Sequence, residues 1–535
     1  MTFADPTATA TRGQMRIHSF SGRLPTARAR LGGSTLRLRA VAIASAALVT
    51  LSLTIAVPAR AAAESITASE VPSPLRVAAE AAPFSVVTPF ASGTTRLYGA
   101  SRIETAIATS KRYQPNVPVA FVATAGNFPD ALSAAAAAAA LGGPLLLTPP
   151  AALPSNVLAE IKRLQPARIF VVGGTGVVSE NVAKTLRGVA PTQRLGGADR
   201  YSTGLAIVRA AFSSSAHAII ATGRSFPDAL AATGAAGTTA APVILVDGAR
   251  PSIPSATMQA LARLGVTSVG IAGGTGVVPI GFEAQLRKAG YEVTRYGGSD
   301  RYDTAAIVNR AYFPSGASTV FLATGVNFPD ALAGAALAGR LGAPMFITTP
   351  GCTPGVIREA VADLGAAARV VMGGPSVVSD VAAQNLGCLT ASTPGISGSA
   401  IVGRTLTASE GKWSSGTSFS YQWFANGTAV SGATGRSFAV TTAHVNKRIS
   451  VRVTGTKPGY VTVSRTSAAT AAVPYPSRTS PAGSYTCPAW APIKGNASSM
   501  IYHVPGGQFY EVTNPEECFR TEAAAVAAGY RKSKR

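Results

Sequence analysis

The chain has 535 residues, of which 47% are hydrophobic and 13% are charged. This composition excludes a largely disordered protein, and the length allows several domains that each have a hydrophobic core. The formal net charge is +23, which favours an anionic partner without distinguishing nucleic acid, lipid and wall polymer.

The first residues have the pattern of an export signal. A basic stretch that ends at Arg39 precedes the apolar run 40–57, and small residues with an A-x-A cleavage pattern follow. We expect residues 1–63 to be a signal peptide, cleaved after Ala61 or Ala63, with a retained membrane anchor as the alternative. Residues 64–93 are rich in Ala, Pro, Ser and Thr and are predicted to be a linker. The expected product is secreted, with no membrane segment after cleavage, and export makes nucleic acid an unfavourable partner.

A triplicated module follows the predicted linker. Phe-Pro-Asp-Ala-Leu occurs at residues 128–132, 226–230 and 328–332, and other motifs recur around it in the same order. Short apolar strands alternate with helices in each copy, which predicts a parallel sheet covered by helices on both faces. The sequence therefore predicts three α/β repeats in series, with boundaries at 94–192, 193–292 and 293–390.

Each Phe-Pro-Asp segment lies where a predicted strand ends and a helix begins. The preceding Asn or Ser is the expected N-cap, so the aspartate can complete a capping box. The alternative is a ligand-binding or catalytic carboxylate at the carboxyl edge of the sheet, where open α/β sheets bind ligands. These helix-cap or ligand candidates are Asp130, Asp228 and Asp330.

Each repeat also contains a Gly-Gly turn after an apolar strand. The N–H groups of such a turn can hold an anion, although the turn can equally be a tight crossover that leaves no space for a Cβ atom. The candidate residues are Gly173, Gly174, Gly273, Gly274, Gly373 and Gly374.

Two arginines recur in each repeat and are candidates for binding an anionic ligand. One follows the predicted N-caps Ser101, Asp199 and Asp300, where a cation opposes the helix dipole. It therefore requires either a salt bridge, for example to Asp228 or Asp330, or an anionic ligand gripped by two hydrogen bonds. The other arginine opens each repeat and adds to the same positive field. The first set is Arg102, Arg200 and Arg301, and the second is Arg96, Arg194 and Arg295.

The repeats carry no recognisable catalytic motif. None of the four histidines recurs, and no nucleophile elbow, zincin helix or P-loop is present. Three copies of one site suit multivalent binding better than catalysis. We therefore expect a binding protein without a cofactor or metal; the alternative is an enzyme that acts on wall glycans through the three aspartates.

Two smaller domains are predicted after the repeats. Alternating segments and Asn-Gly or Pro-Gly turns predict an all-β sandwich over 391–473. A linker at 474–484 then leads to a small α+β domain at 485–535. The four cysteines are expected to form two local disulfides, because the chain is predicted to be exported. A metal site with His503 lacks a fourth ligand. The expected pairs are Cys352 with Cys388 and Cys487 with Cys518.

The repeated motifs Gly-Gly-x-Asp-Arg-Tyr-x-Thr, Ala-Thr-Gly-x-x-Phe-Pro-Asp-Ala-Leu and Val-x-Gly-Gly-x-x-x-Val together resemble the type 2 cell-wall-binding repeat of Gram-positive bacteria. The resemblance implies a pseudo-threefold arrangement of the three copies. It also implies that they attach a secreted protein non-covalently to the wall by binding an anionic secondary polymer. Repeat one departs from the motif at Tyr98, Ser101 and Ile103, so whether it binds stays open.

The later domains resemble other secreted modules. The segment with Trp413, Trp423 and Tyr460 is similar to a bacterial immunoglobulin-like module, which implies a spacer or adhesive role. The tail, with His503 and Cys518, is similar to the domain called sunset. A further alternative is therefore that the repeats form a rigid array without a ligand and that the activity lies in these later domains.

Overall fold

The computed structural model describes residues 86–535. The predicted signal peptide and most of the predicted linker lie outside these residues. Between residues 86 and 535, no helix is long and apolar enough to cross a membrane.

Each sequence repeat alternates strands and helices as predicted. Repeat one contains β1 (Gly93–Leu97), α1 (Arg102–Ser110), β2 (Ala120–Thr124), α2 (Pro129–Leu141), β3 (Leu145–Thr148), α3 (Ser155–Leu164), β4 (Ile169–Val172) and α4 (Glu180–Arg187). Repeat two contains β5 (Thr192–Leu195), α5 (Arg200–Ala211), β6 (His217–Thr222), α6 (Pro227–Thr239), β7 (Val243–Val246), α7 (Ser255–Leu264), β8 (Ser268–Ala272) and α8 (Ile280–Lys288). Repeat three contains β9 (Glu292–Tyr296), α9 (Arg301–Tyr312), β10 (Thr319–Thr324), α10 (Pro329–Arg340), β11 (Met345–Thr348), α11 (Gly355–Asp363), β12 (Ala368–Met372) and α12 (Asp380–Ala383).

Each of the three parallel sheets is completed by a strand from another repeat. The strand orders are β3-β2-β4-β5, β7-β6-β8-β9 and β11-β10-β12-β1. Thus β5 and β9, which open repeats two and three, pair with β4 and β8 of the repeat before. Strand β1 pairs with β12 at the other end of the triplicated region. The three repeats therefore close into a ring with pseudo-threefold symmetry.

The buried helices α2, α6 and α10 pack around the pseudo-threefold axis. They consist largely of Ala and Gly, whose small side chains let the helices approach closely. A Cβ atom on Gly237 would lie only 2.1 Å from the carbonyl oxygen of Gly339. At the amino-terminal ends of the helices, the rings of Phe128, Phe226 and Phe328 contact one another, with centroids 5.3–6.1 Å apart. These three helices, rich in Ala and Gly, thus form the centre of the triplicated region.

The all-β region consists of two antiparallel sheets that share one core. Trp423 is fully buried and stacks on Phe438, with ring centroids 5.1 Å apart. The indole N–H of Trp423 donates to the carbonyl of Gly435 at 2.9 Å. This arrangement is the predicted sandwich. Its strands are β13 (Gly395–Ser397), β14 (Thr405–Ser409) and β17 (Ser437–Ala439) in one sheet, and β15 (Ser418–Ala425), β16 (Thr428–Ala429), β18 (Ile449–Thr456) and β19 (Val463–Thr466) in the other.

A small domain follows, with a mixed five-stranded sheet and one helix. Its first strand, β20, lies inside the stretch 474–484 that the sequence suggested was a linker; Arg478 and Thr479 pair with Phe519 and Cys518. A two-residue strand is too short to show a period, and only its partner reveals it. The elements are β20 (Arg478–Thr479), β21 (Ile493–Asn496), β22 (Ile501–His503), β23 (Glu517–Phe519), α13 (Glu522–Ala527) and β24 (Arg531–Lys532).

Both predicted disulfides are confirmed, Cys352–Cys388 in repeat three and Cys487–Cys518 in the small domain. The first lies beside the junction with the sandwich. There the N–H of Gly387 donates to the carbonyl of Gly459 at 2.8 Å, and the guanidinium of Arg358 lies over the ring of Tyr460. The disulfide therefore fixes the segment through which repeat three contacts the sandwich.

Candidate functional site

Three equivalent cavities lie at the carboxyl edges of the three sheets. Each is lined by the Phe-Pro-Asp segment and the Gly-Gly turn of one repeat and by the amino-terminal end of the first helix of the next repeat. We name them by the repeats that they join. Their volumes are about 340, 290 and 400 Å³ for pockets 1–2, 2–3 and 3–1 respectively. The defining residues are Asp130, Gly174 and Arg200 for pocket 1–2, Asp228, Gly274 and Arg301 for pocket 2–3, and Asp330, Gly374 and Arg102 for pocket 3–1.

The aspartates do not complete capping boxes. Helices α2, α6 and α10 begin at the prolines, so their N-caps are phenylalanines that make no side-chain cap hydrogen bond. In repeat one, the side-chain oxygen of Asn127 accepts instead from the N–H of Phe128 at 2.9 Å. The proline, which has no N–H and suits the first helical position, sets this start. The carboxylates are therefore left to face the pockets.

Burial is the main influence on the pKa of these carboxylates. It raises the pKa of Asp130 and of Asp228 to about 6, and it also raises the pKa of Asp330. In each pocket an arginine of the next repeat (Arg200, Arg301 or Arg102) opposes this increase in pKa through its charge. Each pocket thus places a half-buried or buried carboxylate and a guanidinium from different repeats in one cavity.

Arg102, Arg200 and Arg301 are the first residues of their helices, behind the N-caps that the sequence predicted. One amine of each guanidinium donates to a backbone carbonyl, that of Ala125, Gly223 or Gly325, at 2.6–2.9 Å. Among the described residues, none of the three arginines lies within 4.0 Å of an acidic side chain. The alternative of a close salt bridge is therefore absent from this structure, and these cations line the pockets.

The other arginines, Arg96, Arg194 and Arg295, are held by the protein itself. Arg194 donates to the carbonyls of Gly173 and Val178 at 2.9 and 2.8 Å and pairs with Glu180 at 3.2 Å. Arg96 makes the equivalent carbonyl contacts and pairs with Asp380, while Arg295 bonds to the carbonyl of Gly273 and to Glu283. None of these three arginines is among the described residues that line pockets 1–2, 2–3 and 3–1. They brace the Gly-Gly turns from behind.

We expect Arg194→Met to lower the free energy of unfolding by about 2–4 kcal/mol, because the partly buried carbonyls of Gly173 and Val178 lose a charged donor. Arg200→Met, which removes a single carbonyl contact, should cost about 1–2 kcal/mol. Urea unfolding of the two full-length variants measures the difference. Equal losses would contradict the bracing role of Arg194.

The two glycines of each turn have different roles. Gly173, Gly273 and Gly373 have φ angles of +98°, +122° and +96°, which other residues rarely adopt. A Cβ atom on Gly373 would also lie 2.7 Å from the carboxylate of Asp330. The second glycine is different, since a Cβ atom on Gly174 would meet nothing within 4 Å. The first glycine is thus required by the fold, whereas the second borders open pocket.

Sequence reasoning missed the threonines that shape the pockets. The hydroxyl of Thr105, Thr203 or Thr304 accepts from the N–H of the glycine six residues earlier at 3.0–3.1 Å. This bond folds the glycine loop over the first helical turn and so positions the arginine. The recurrence of the threonine in the motif was the one sign of its importance in the sequence. Its hydrogen bond could not be predicted, because it depends on how the glycine loop folds back on the helix. No cluster of potential metal ligands is present in residues 86–535.

Comparison with known proteins agrees with this geometry. The family Cell wall binding domain 2 (CWB2) matches residues 96–183, 194–283 and 295–383, and the family ArfC matches residues 469–532. The resemblance of the tail to the sunset domain stays an expectation, as does that of the sandwich to immunoglobulin-like modules.

Two curated relatives come from Bacillus subtilis strain 168. The N-acetylmuramoyl-L-alanine amidase LytC is 29% identical over 255 residues, which is 47% of this chain and 50% of the relative. The protein named amidase enhancer is 28% identical over 287 residues, 54% of this chain and 39% of the relative. The chain thus matches half or less of the length of these relatives.

Two solved structures, Cwp6 and Cwp8 from Clostridium difficile, share the fold with TM-scores of 0.50 each. They are 25% and 27% identical to this chain, and the similarity covers 55% and 54% of it and 48% and 50% of the respective structures. The share of this chain that aligns with the two structures is about the length of the triplicated region. Residues 96–383 are three tandem CWB2 repeats, and the chain belongs to this family of cell-wall-binding proteins.

Proposed function

We propose that this protein is secreted and is held non-covalently on the envelope of a Gram-positive bacterium by an anionic secondary wall polymer that binds in pockets 1–2, 2–3 and 3–1. The observation that carries the proposal is the repeated arginine. In each pocket a guanidinium lines an open cavity, and no acidic side chain among residues 86–535 lies within 4.0 Å of it. The later domains would then serve as spacer or adhesive modules held at the cell surface.

The chemistry of each pocket suits an acidic saccharide or a phosphate-bearing polymer. A guanidinium presents donors to an anionic oxygen, and the carboxylate of the neighbouring repeat can accept from hydroxyl groups. The space over Gly174 and Gly274 lets a ligand approach the backbone, and over Gly374 this space is bordered by the ring of Tyr98. Because the three pockets are fixed in one ring, weak binding in each one adds to a stronger attachment along a polymer.

Salt dependence tests the proposal. The full-length protein should bind purified walls that retain their secondary polymers, should bind far less to walls stripped of them, and should be released as salt rises and screens the charges. The variant Arg102→Gln, Arg200→Gln, Arg301→Gln should bind weakly even at low salt. Loss of three positive charges elsewhere, in Lys162→Gln, Arg209→Gln, Lys288→Gln, should have little effect, since these exposed residues line none of the pockets. An equal loss of wall binding in both variants would mean that the protein is attached through its net charge and not through the pockets.

A second candidate is an enzyme that acts on wall glycans. It is favoured by the raised pKa of Asp130 and Asp228, since a carboxyl with a pKa of about 6 suits a general acid. Against it, the second carboxylate of pocket 1–2, Asp199, accepts from the N–H of Ser202 as a helix cap, and pocket 3–1 has Ser101 in its place. Release of reducing ends from purified walls by the wild-type protein, lost in Asp130→Asn and Asp228→Asn, would favour the enzyme.

A further inference from the structure

The three pockets share their aspartate, arginine and second glycine but differ at one rim position. Tyr98 borders pocket 3–1 at the place that Gly196 and Gly297 occupy in the other repeats. Its side chain is 51% exposed. The ring lies beside the second glycine of the turn, because a Cβ atom built on Gly374 would be 3.4 Å from Cδ2 of Tyr98. Pocket 3–1 therefore has an aromatic wall that faces solvent.

The other two pockets have no room for this wall. A Cβ atom on Gly196 would lie 3.0 Å from the backbone of Gly173, and one on Gly297 would lie 2.8 Å from that of Gly274. In those repeats the loop packs directly on the Gly-Gly turn. An aromatic side chain is thus compatible only with the loop of repeat one.

Further differences occur around pocket 3–1. Pro375 and Ser376 stand where the other turns have Thr and Gly, and both line this pocket. Ser101 replaces the aspartates that line the other two pockets. Val326, next to the lining residue Asn327, is 65% exposed. The rim of pocket 3–1 is therefore less acidic and more apolar than the rims of pockets 1–2 and 2–3.

We infer that pocket 3–1 binds a sugar ring of the wall polymer, whose apolar face stacks on Tyr98 while Arg102 and Asp330 contact its acidic and hydroxyl groups. This inference rests on the proposed function and adds the ligand class. The flat face of an aromatic ring buries the C–H face of a pyranose at little cost in side-chain entropy. A polymer of acyclic polyol phosphates offers no such face. Repeat one, which departs most from the motif, thus contributes a specialised pocket.

The test uses a full-length parent in which only pocket 3–1 is open, Gly174→Leu, Gly274→Leu. A Cβ atom on Gly174 has free space, and one on Gly274 has its nearest neighbour at 3.6 Å, so leucine should fill these pockets without disturbing the fold. Binding to purified polymer-bearing walls is measured for this parent and after adding Tyr98→Gly, Tyr98→Leu or Tyr98→Phe. We expect Tyr98→Gly and Tyr98→Leu to weaken binding about threefold to tenfold, and Tyr98→Phe to preserve it.

Three outcomes would overturn the inference while the wild-type protein still binds. These are a parent that does not bind, a Tyr98→Gly variant that binds as tightly as the parent, and a Tyr98→Phe variant as weak as Tyr98→Gly, which would assign the effect to the hydroxyl group. Failure of the wild-type protein to bind would instead refute the proposed function. Thermal unfolding of each variant shows whether a loss arises from misfolding. Walls stripped of secondary polymer distinguish a polymer sugar from a peptidoglycan sugar, and an unchanged Tyr98 effect on stripped walls would overturn the assignment to the polymer.

Discussion

Leucine at Gly174, Gly274 and Gly374 together is expected to abolish retention of this protein on polymer-bearing walls, with a loss of roughly 10²–10⁴-fold. The leucines at 174 and 274 would project into the open space over their turns, and the leucine at 374 would lie against the ring of Tyr98 inside pocket 3–1. All three would occupy space that is proposed for the ligand. Single substitutions should cost much less, because the two pockets that remain still hold a polymer. The measurement is the protein concentration that half-saturates a fixed amount of purified wall.

The matched control is Gly351→Leu. This glycine is exposed, has nothing within 4 Å of a built Cβ atom, and lies outside all three pockets. It should leave both wall binding and the unfolding temperature unchanged. If the triple variant is folded and binds like the wild type, the pockets are not the polymer sites, and the alternative that the later domains carry the activity gains support.

Asp228→Asn is expected to stabilise the protein at neutral pH by up to about 3 kcal/mol. Asp228 is 6% exposed, and its burial raises the pKa to about 6 from the ordinary aspartate value of 3.8. The folded protein therefore binds the proton more tightly than the unfolded chain does. Stability falls as pH rises from about 4 to about 6, and the deficit remains above that range. Asparagine cannot ionise, so the variant should gain stability above pH 6 and match the wild type below pH 4.

The control for this prediction is Asp247→Asn in the same repeat. A hydrogen bond from the N–H of Ala249 is the main cause that lowers the pKa of Asp247, so its charge stabilises the fold and its removal should destabilise at neutral pH. Chemical unfolding of both variants between pH 4 and pH 8 measures whether each substitution raises or lowers the free energy of unfolding. Destabilisation by Asp228→Asn at pH 7 would show that the Asp228 carboxylate has a favourable partner in the fold. Stabilisation would instead show that a buried charge is kept at a cost, as is common at binding sites.

Much of the local structure was accessible from the sequence. The alternation of strands and helices, the N-caps Ser101, Asp199 and Asp300, and the two disulfide pairs follow from short-range patterns and spacings. The start of α2 differs because Pro129 occupies the first helical position and moves the cap to Phe128. Strand β20 was missed because two residues show no period.

The two sets of arginines illustrate what the sequence could not separate. Arg194 and Arg200 both recur in every repeat and both lie near a helix, so pattern alone gave them the same role. In the structure Arg194 points to the carbonyls of Gly173 and Val178, whereas Arg200 lines pocket 1–2 opposite Asp130. Recurrence therefore identified the segments around the pockets but could not distinguish the arginine that lines a pocket from the one that braces the turn.

The sequence by itself determined the triplication, the α/β class of each repeat and the residue types that recur around the pockets, because repeated motifs, periodicity and helix caps can be read along the chain. Only the tertiary structure decided that β1 pairs with β12 and that each pocket is shared by two successive repeats. Strand pairing across the whole triplicated region depends on how the helices α2, α6 and α10 pack at the axis. That packing brings Arg102 and Tyr98 of repeat one to Asp330 of repeat three, a neighbourhood that no local pattern encodes.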